Sequence, residues 1–282
     1  MPKNPFEQPI KREEPPIKEM EEKLEKAEKM IEGVKEDLKI EIEEFEMVDK
    51  SVKELKKLWE ENEEELGAKG WNETFSFFFS LPLPEISPSL LERISNKFLK
   101  EFDWERIEVR EYLGPDLSLF LTVFLKKNIE NYTSSQKNKG IKEENIEPIE
   151  VYLKVKEAPI VLDYLGYRNP EKLHLIIEGN CGRWTGSEMQ GGKIIVKGNC
   201  GDWIGGEMQG GEMIVEGNCG DLTGEHMQGG VLNVKGEVKS FDKSAFSPDN
   251  QGTIIWKNTK IWENGNWTKE GKEMWERGEI PV

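Results

Sequence analysis

From Ile17 the apolar residues step by three and four through Met20, Leu24, Ala27, Ile31, Val34 and Leu38. The same phase continues through Phe45, Val48, Val52, Leu55 and Trp59, with Glu and Lys in nearly all other positions. About six heptads in one phase predict a coiled coil or a long amphipathic helix over residues 17–66. With position a set at Ile17, only the d position at Glu41 is charged. The a residues Ile17, Leu24, Ile31, Leu38, Phe45, Val52 and Trp59 are the expected oligomerisation contacts; the alternative is that this face packs on the chain's own body. Pro15 and Pro16 stand before the pattern and Gly67 and Gly70 after it, where helix boundaries favour them. Residues 1–16 are expected to be disordered.

Residues 70–170 carry shorter patterns that predict a small α+β domain. ETFSFFFSLPL reads as a strand, and Pro88 opens a helix, SPSLLERISNKFLKEF, with Ser87 placed to cap it. ERIEVREYL and LSLFLTVFLKK read as paired strands around Gly114-Pro115-Asp116. NYTSSQKNKGIKEEN has no period and reads as a mobile loop, and EPIEVYLKVKEAP resumes as a strand. Asn72, Asn131 and Asn266 open formal glycosylation sequons, which are expected to be chance matches.

The next region repeats. GNCGRWTGSEMQGGKIIVK, GNCGDWIGGEMQGGEMIVE and GNCGDLTGEHMQGGVLNVK begin at Gly179, Gly198 and Gly217, 19 residues apart and without insertion. LHLIIE precedes them as a half-copy, and Gly236 opens a degenerate fourth. One 19-residue unit cannot bury its own apolar side, whereas stacked units can, with strands pairing between coils at about 4.8 Å. A short β-solenoid over 171–240 follows. Equivalent residues then form columns: Met189, Met208 and Met227 inside, with Asn180, Asn199 and Asn218, and Gln190, Gln209 and Gln228, as two amide ladders. An open solenoid end exposes strand edges. Residues 241–282, with Trp256, Trp262, Trp267, Trp275 and an Asn264-Gly265 hairpin signal, are expected to cap it.

The pattern G-N-x-G-x-x-x-G-x-x-M-x-G-G before an alternating strand resembles the GXGXG-type β-helix. That domain forms one of the subunits of formylmethanofuran dehydrogenase and the C-terminal domain of the glutamate synthase large subunit. The match covers Leu173 to about Gly236. It implies a right-handed scaffold that holds catalytic domains or subunits together and has no active site of its own. The matching positions are turn glycines and column methionines, so the resemblance carries over no catalytic residue. No flavin, iron–sulfur, glutaminase, molybdopterin or amidohydrolase segment accompanies them. The expected fold class is therefore multi-domain α+β: a long N-terminal coiled-coil helix, a small α+β domain and a short right-handed β-helix of 19-residue repeats.

Charge and composition narrow the chemistry. Fifty-five acids against thirty-nine bases give 282 residues a formal net charge of -16, which argues against nucleic acid or an anionic membrane as partner. Cys181, Cys200 and Cys219 share one phase and are the candidate metal ligands or redox thiols. The alternative is a column of small hydrophobes, favoured by the absence of C-x-x-C spacing. His226 replaces a glutamate beside Glu225 and makes no site alone. Asp202 and Asp221 share a phase with Arg183, a pattern unlike the nine-residue calcium repeat. No phosphate loop is present. No catalytic residue, cofactor or metal is expected. Three cysteines and the absence of a visible signal peptide predict a cytoplasmic protein, and high Glu, Lys and Ile suggest a thermophilic source. The expected function is a structural scaffold that homo-oligomerises through the helix and presents the β-helix to partners. The alternatives are a non-catalytic subunit bound to catalytic partner subunits of a formylmethanofuran dehydrogenase-like or glutamate synthase-like complex, and a thiol-based metal or redox protein.

Overall fold

The computed structural model describes residues 17–62, 70–105 and 113–282. The N-terminal 1–16 segment, and most of the strand expected over ERIEVREYL, lie outside the described residues. A helical region comes first: α1 Ile17–Asn62, α2 Trp71–Ser80, α3 Pro88–Glu101 and α4 Leu113–Asn138. A β-solenoid of about four turns with 19-residue spacing follows. Its strands are β1 Ile149–Leu153, β2 Leu173–Ile177, β3 Lys193–Val196, β4 Glu212–Val215, β5 Val231–Val234 and β6 Thr253–Trp256. Antiparallel β7 Thr259–Glu263 and β8 Asn266–Trp267, then α5 Lys269–Glu276, close the chain. Two compact units divide between Met47 and Val48, so the boundary falls inside α1.

That boundary also divides the heptad seam. Val48, Val52, Leu55 and Trp59 are buried in the core of the Val48–Val282 unit. Trp59 meets the rings of Phe78, Phe102 and Phe120 at centroid distances of 6.1, 5.8 and 5.7 Å. Val52 and Trp59 are therefore not oligomerisation contacts: at 1% exposure each they have no surface left for another chain.

Two expected strands are helices. ETFSFFFS lies in α2, with Thr74, Phe75 and Phe78 buried. LSLFLTVFLKK lies in α4, which continues through NYTSSQKN where a loop was expected. From Asp116 to Lys126 every residue of α4 is buried. A helix buried on all sides shows no 3.6-residue period, so its apolar run resembles a buried strand. Pro115 is the third residue of α4, in the first turn, where a missing N–H breaks no helical bond. Helix α3 begins at Pro88, as expected, with Ser87 in the N-cap position, but the Ser87 hydroxyl makes no capping bond to the backbone and lies 2.9 Å from Ser89 Oγ.

The solenoid starts earlier than residue 171. Strand β1 pairs parallel with β2, joining Val151 to Leu175, so EPIEVYL forms the first rung. Leu175, Ile194, Met213 and Leu232 then follow at 19-residue intervals, and Leu232 pairs with Ile254 of β6 after 22. Together with Val151 they make one buried column; Leu153, Ile177, Val196, Val215, Val234 and Trp256 make a second. Both ends of the sheet are managed. At the C-terminal end, Lys257-Asn258 and Asn264-Gly265 all take positive φ, forming two tight turns that reverse the chain into β7 and β8. Trp256 Nε1 donates to Gly236 O at 3.0 Å and Trp262 Nε1 to Asn250 O at 3.1 Å, which seats the cap on the last rungs.

At the other end the edge of β1 is held by a side chain. Asn96 of α3 donates from Nδ2 to Tyr152 O at 2.7 Å and accepts at Oδ1 from Lys154 N at 2.8 Å. One amide thus makes the two bonds that a neighbouring strand would make, at the position where open edges recruit other chains. Replacing Asn96 by Ala should lower stability by about 1 kcal/mol in urea unfolding, since both freed groups can reach water. An unchanged midpoint would show that α3 holds β1 by apolar packing alone.

Candidate functional site

The first candidate surface is the N-terminal part of α1. Leu24, Met30, Ile31, Val34, Leu38, Ile40, Ile42 and Phe45 are 51–69% exposed. Of the expected contacts, Leu24, Ile31, Leu38 and Phe45 lie on this exposed stretch, Val52 and Trp59 lie in the core, and the side chain of Ile17 is outside the described set.

The solenoid columns form a second set. Met189, Met208 and Met227 are buried one above another. Each methyl reaches toward a glycine of the next coil: a Cβ at Gly211, Gly230 or Gly252 would lie 2.5, 2.7 or 2.7 Å from the respective Cε. The asparagines make a ladder from side chain to backbone. Asn180 Oδ1 accepts from Asn199 N at 2.9 Å, Asn199 Oδ1 from Asn218 N at 2.8 Å, and Asn218 Oδ1 from Glu237 N at 2.8 Å. Each rung therefore satisfies a donor on the next in a single direction. The glutamines depart from the expected amide ladder. Gln190, Gln209 and Gln228 are exposed, and Gln190 Oε1 accepts from Lys126 Nζ at 3.2 Å instead. Exposed amides can be satisfied by water, so nothing forces them into register.

Carboxylates repeat the asparagine device. Asp163 Oδ1 accepts from Arg183 N at 2.7 Å and Asp202 Oδ1 from Asp221 N at 2.9 Å, while Asp221 accepts from Ser240 Oγ at 3.0 Å and pairs with Lys239. Burial raises the Asp163 carboxyl above its ordinary range, whereas the Lys239 and Ser240 contacts hold Asp221 below it. These acids are engaged in rung-to-rung bonding. His226 is exposed, and its backbone N–H donates to Ser244 Oγ at 2.6 Å. It lines an open groove of 740 Å³ with Glu207, Met227, Gln228, Lys243, Ser247 and Asp249.

Cys181, Cys200 and Cys219 are free and buried, and they stack as their phase predicts, with Val238 bridging to Cys219 on the next coil. The neighbouring thiols of Cys181 and Cys219, and then burial, push the Cys200 thiol well above the ordinary range. A thiolate here is disfavoured, and the thiolate is the form that binds metal or attacks. Among the described residues, no group of three or more His, Cys, Asp or Glu is arranged to hold a metal ion. The thiols should resist iodoacetamide at pH 8 in the native protein and label in urea; rapid native labelling would contradict the burial. The unfolded chain ionises cysteine near pH 8.5 while folded Cys200 stays neutral. Cys200 thus contributes stability that is complete below about pH 8.5 and declines above it. Cys200→Ala should flatten that alkaline decline in urea midpoints.

One arrangement had not been anticipated. Tyr164, Trp184 and Trp203 stack along the solenoid with centroids 4.9 and 4.8 Å apart and planes within 8°. Trp71 of α2 continues the stack onto Tyr164 at 6.1 Å. Beside it Tyr167 Oη donates to Glu188 Oε1 at 2.6 Å, Arg168 Nε donates to Glu188 Oε2 at 2.7 Å, and Arg168 Nη2 donates to Asn72 Oδ1 at 3.3 Å. Burial and the Glu188 contact push the Tyr167 hydroxyl far up, so it stays a donor. The cluster fastens α2 to the first rungs and uses the Asn72 side-chain oxygen of a formal sequon. The signal was present in sequence as Tyr164-x-Gly166, Trp184-x-Gly186 and Trp203-x-Gly205, but the first copy is offset by one residue from the later spacing.

The fold thus defines a class, a helical region followed by a β-solenoid of about four turns. No family model matches the chain, and no curated protein or solved structure is detectably similar to it. Among the described residues no helix is long and apolar enough to cross a membrane.

Proposed function

We propose that the chain is a structural scaffold that oligomerises through the N-terminal part of α1 and presents its solenoid to partner proteins. The observation that carries this reading is the change at Met47–Val48. One heptad phase is buried in the chain's own core after that point and more than half exposed before it. Covering a Leu, Ile, Val or Met side chain contributes about 1.5–3 kcal/mol. Several such residues from each chain offset an association cost of about 4–15 kcal/mol. The rung-to-rung bonding of the asparagines, aspartates and buried thiols leaves those groups serving structure rather than chemistry.

Within this reading the solenoid is a GXGXG-type β-helix, supported by the glycine spacing and the inward methionine column. A cytoplasmic location is supported by three cysteines left as free thiols. The test is a double variant, Leu24→Glu with Leu38→Glu, in the full chain. Its mass by sedimentation should fall to 32.5 kDa while the solenoid melts as before. An oligomer of unchanged mass would overturn the role of the seam.

A further inference from the structure

Resting on that reading, we infer that the α1 seam receives one second copy of itself in antiparallel orientation, centred between Glu32 and Gly33. The seam's only charged core position decides first. Glu41 occupies d, and in a parallel, in-register pair the two Glu41 carboxylates would meet inside the interface with no cation at a or d to offset them. Antiparallel helices put each Glu41 opposite an apolar a residue of the other copy, Ile17 or Leu24 according to register, and hold the two carboxylates far apart.

Antiparallel registers that bring a and d residues into common layers differ by whole heptads, and the two that overlap the largest part of residues 17–47 are compared by charge. In one, Ile31 faces Ala27 of the second copy, and Glu28 at e meets the second copy's own Glu28, a like-charge pair on the dyad. In the other, Ile31 faces Val34, Ala27 faces Leu38, and Glu28 meets Lys35 of the second copy twice, once on each side. The second register is the one the charges select, because e-position pairs set orientation and partner. It also sets the smallest core residue, Ala27, against the larger Leu38, so that layer volumes even out. Among the described residues Lys35 Nζ lies 3.6 Å from an exposed Glu32 carboxylate, and an ammonium has further donors to offer. Met30 at g and Ile42 at e, both more than half exposed, widen the apolar strip on its flanks.

The arrangement is tested with cysteines introduced into the full chain, whose own three thiols are buried. In the antiparallel pair the two Ala27 positions lie roughly 16 Å apart along the axis, too far for a disulfide. Ala27→Cys alone should therefore stay unlinked under mild oxidation, while Ala27→Cys combined with Leu38→Cys should link into a covalent dimer on a non-reducing gel. Lys35→Glu should weaken the dimer by about tenfold or more, and adding Glu28→Lys should restore it, since 28 and 35 meet only in this register. Sedimentation of the unmodified chain separates the two levels of the account. A monomer there removes the seam's oligomeric role itself. A dimer in which Ala27→Cys links to itself, a dimer whose double-cysteine variant fails to link, or a larger oligomer keeps that role and overturns the antiparallel pair.

Discussion

Gly211→Ala should destabilise the Val48–Val282 unit by about 2–5 kcal/mol. Gly211 sits at φ +79°, and a Cβ there would lie 2.5 Å from Met189 Cε and 2.7 Å from the carbonyl carbon and oxygen of Gly191. The left-handed backbone costs an L-residue about 1–2 kcal/mol, and forcing a methyl into a packed column costs about 1–3 kcal/mol more. The Met189 methyl can shift, but the Gly191 carbonyl is backbone of the preceding rung, and every rung is bonded to its neighbours. Gly192 and Gly230 occupy the same corner at φ +67° and +79°, so the effect belongs to a column rather than to one site. Urea unfolding followed by tryptophan fluorescence would read it. Gly33 in α1 is the comparison: nothing lies within 4 Å of its Cβ position. Gly33→Ala should raise the helicity of α1, favouring the helix by about 1 kcal/mol. Equal losses in the two variants would contradict the close-approach account.

Trp59→Ala should cost about 3–5 kcal/mol, the range for removing a large aromatic from a core. The indole is almost fully buried against Phe78, Phe102 and Phe120, which come from α2, the segment after α3, and α4. Its Nε1 has no hydrogen-bond partner among the described residues. Trp59→Phe therefore removes an unsatisfied donor worth about 1–3 kcal/mol along with the lost volume, and should be far milder than Ala. A Phe variant as unstable as the Ala variant would mean that the indole nitrogen is satisfied in solution. The same packing governs truncation. A chain beginning at Val48 keeps Val52, Leu55 and Trp59 and should fold, whereas one beginning after residue 66 loses them and should not.

The repeat was legible because a solenoid writes each contact several times. Cys181, Cys200 and Cys219, or Met189, Met208 and Met227, recur at a spacing of 19, which predicts their stacking. The first rung was missed where that redundancy fails. Asn169, nearly fully buried, continues the methionine column and donates to Leu173 O and Gly191 O, while Pro170-Glu171-Lys172 stands where the later coils have Gln-Gly-Gly. The helices α2 and α4 were misread because burial on every side erases amphipathic period. In α1 the period was strong, yet it carried no mark of where self-packing ends. Phe45 at a and Val48 at d obey one heptad rule and differ only in what lies opposite them. The aromatic stack escaped notice because Leu222 replaces tryptophan in the third copy, and the link from Tyr164 to Trp71 joins segments that no repeat relates.

The most direct measurement is native mass spectrometry of the unmodified chain gently purified from its own source. The scaffold account predicts a homo-oligomer at a whole-number multiple of 32.5 kDa that reverts to the monomer mass in the Leu24→Glu, Leu38→Glu variant. A monomer at micromolar concentration, or a stoichiometric complex with a catalytic protein and no self-association, would contradict it.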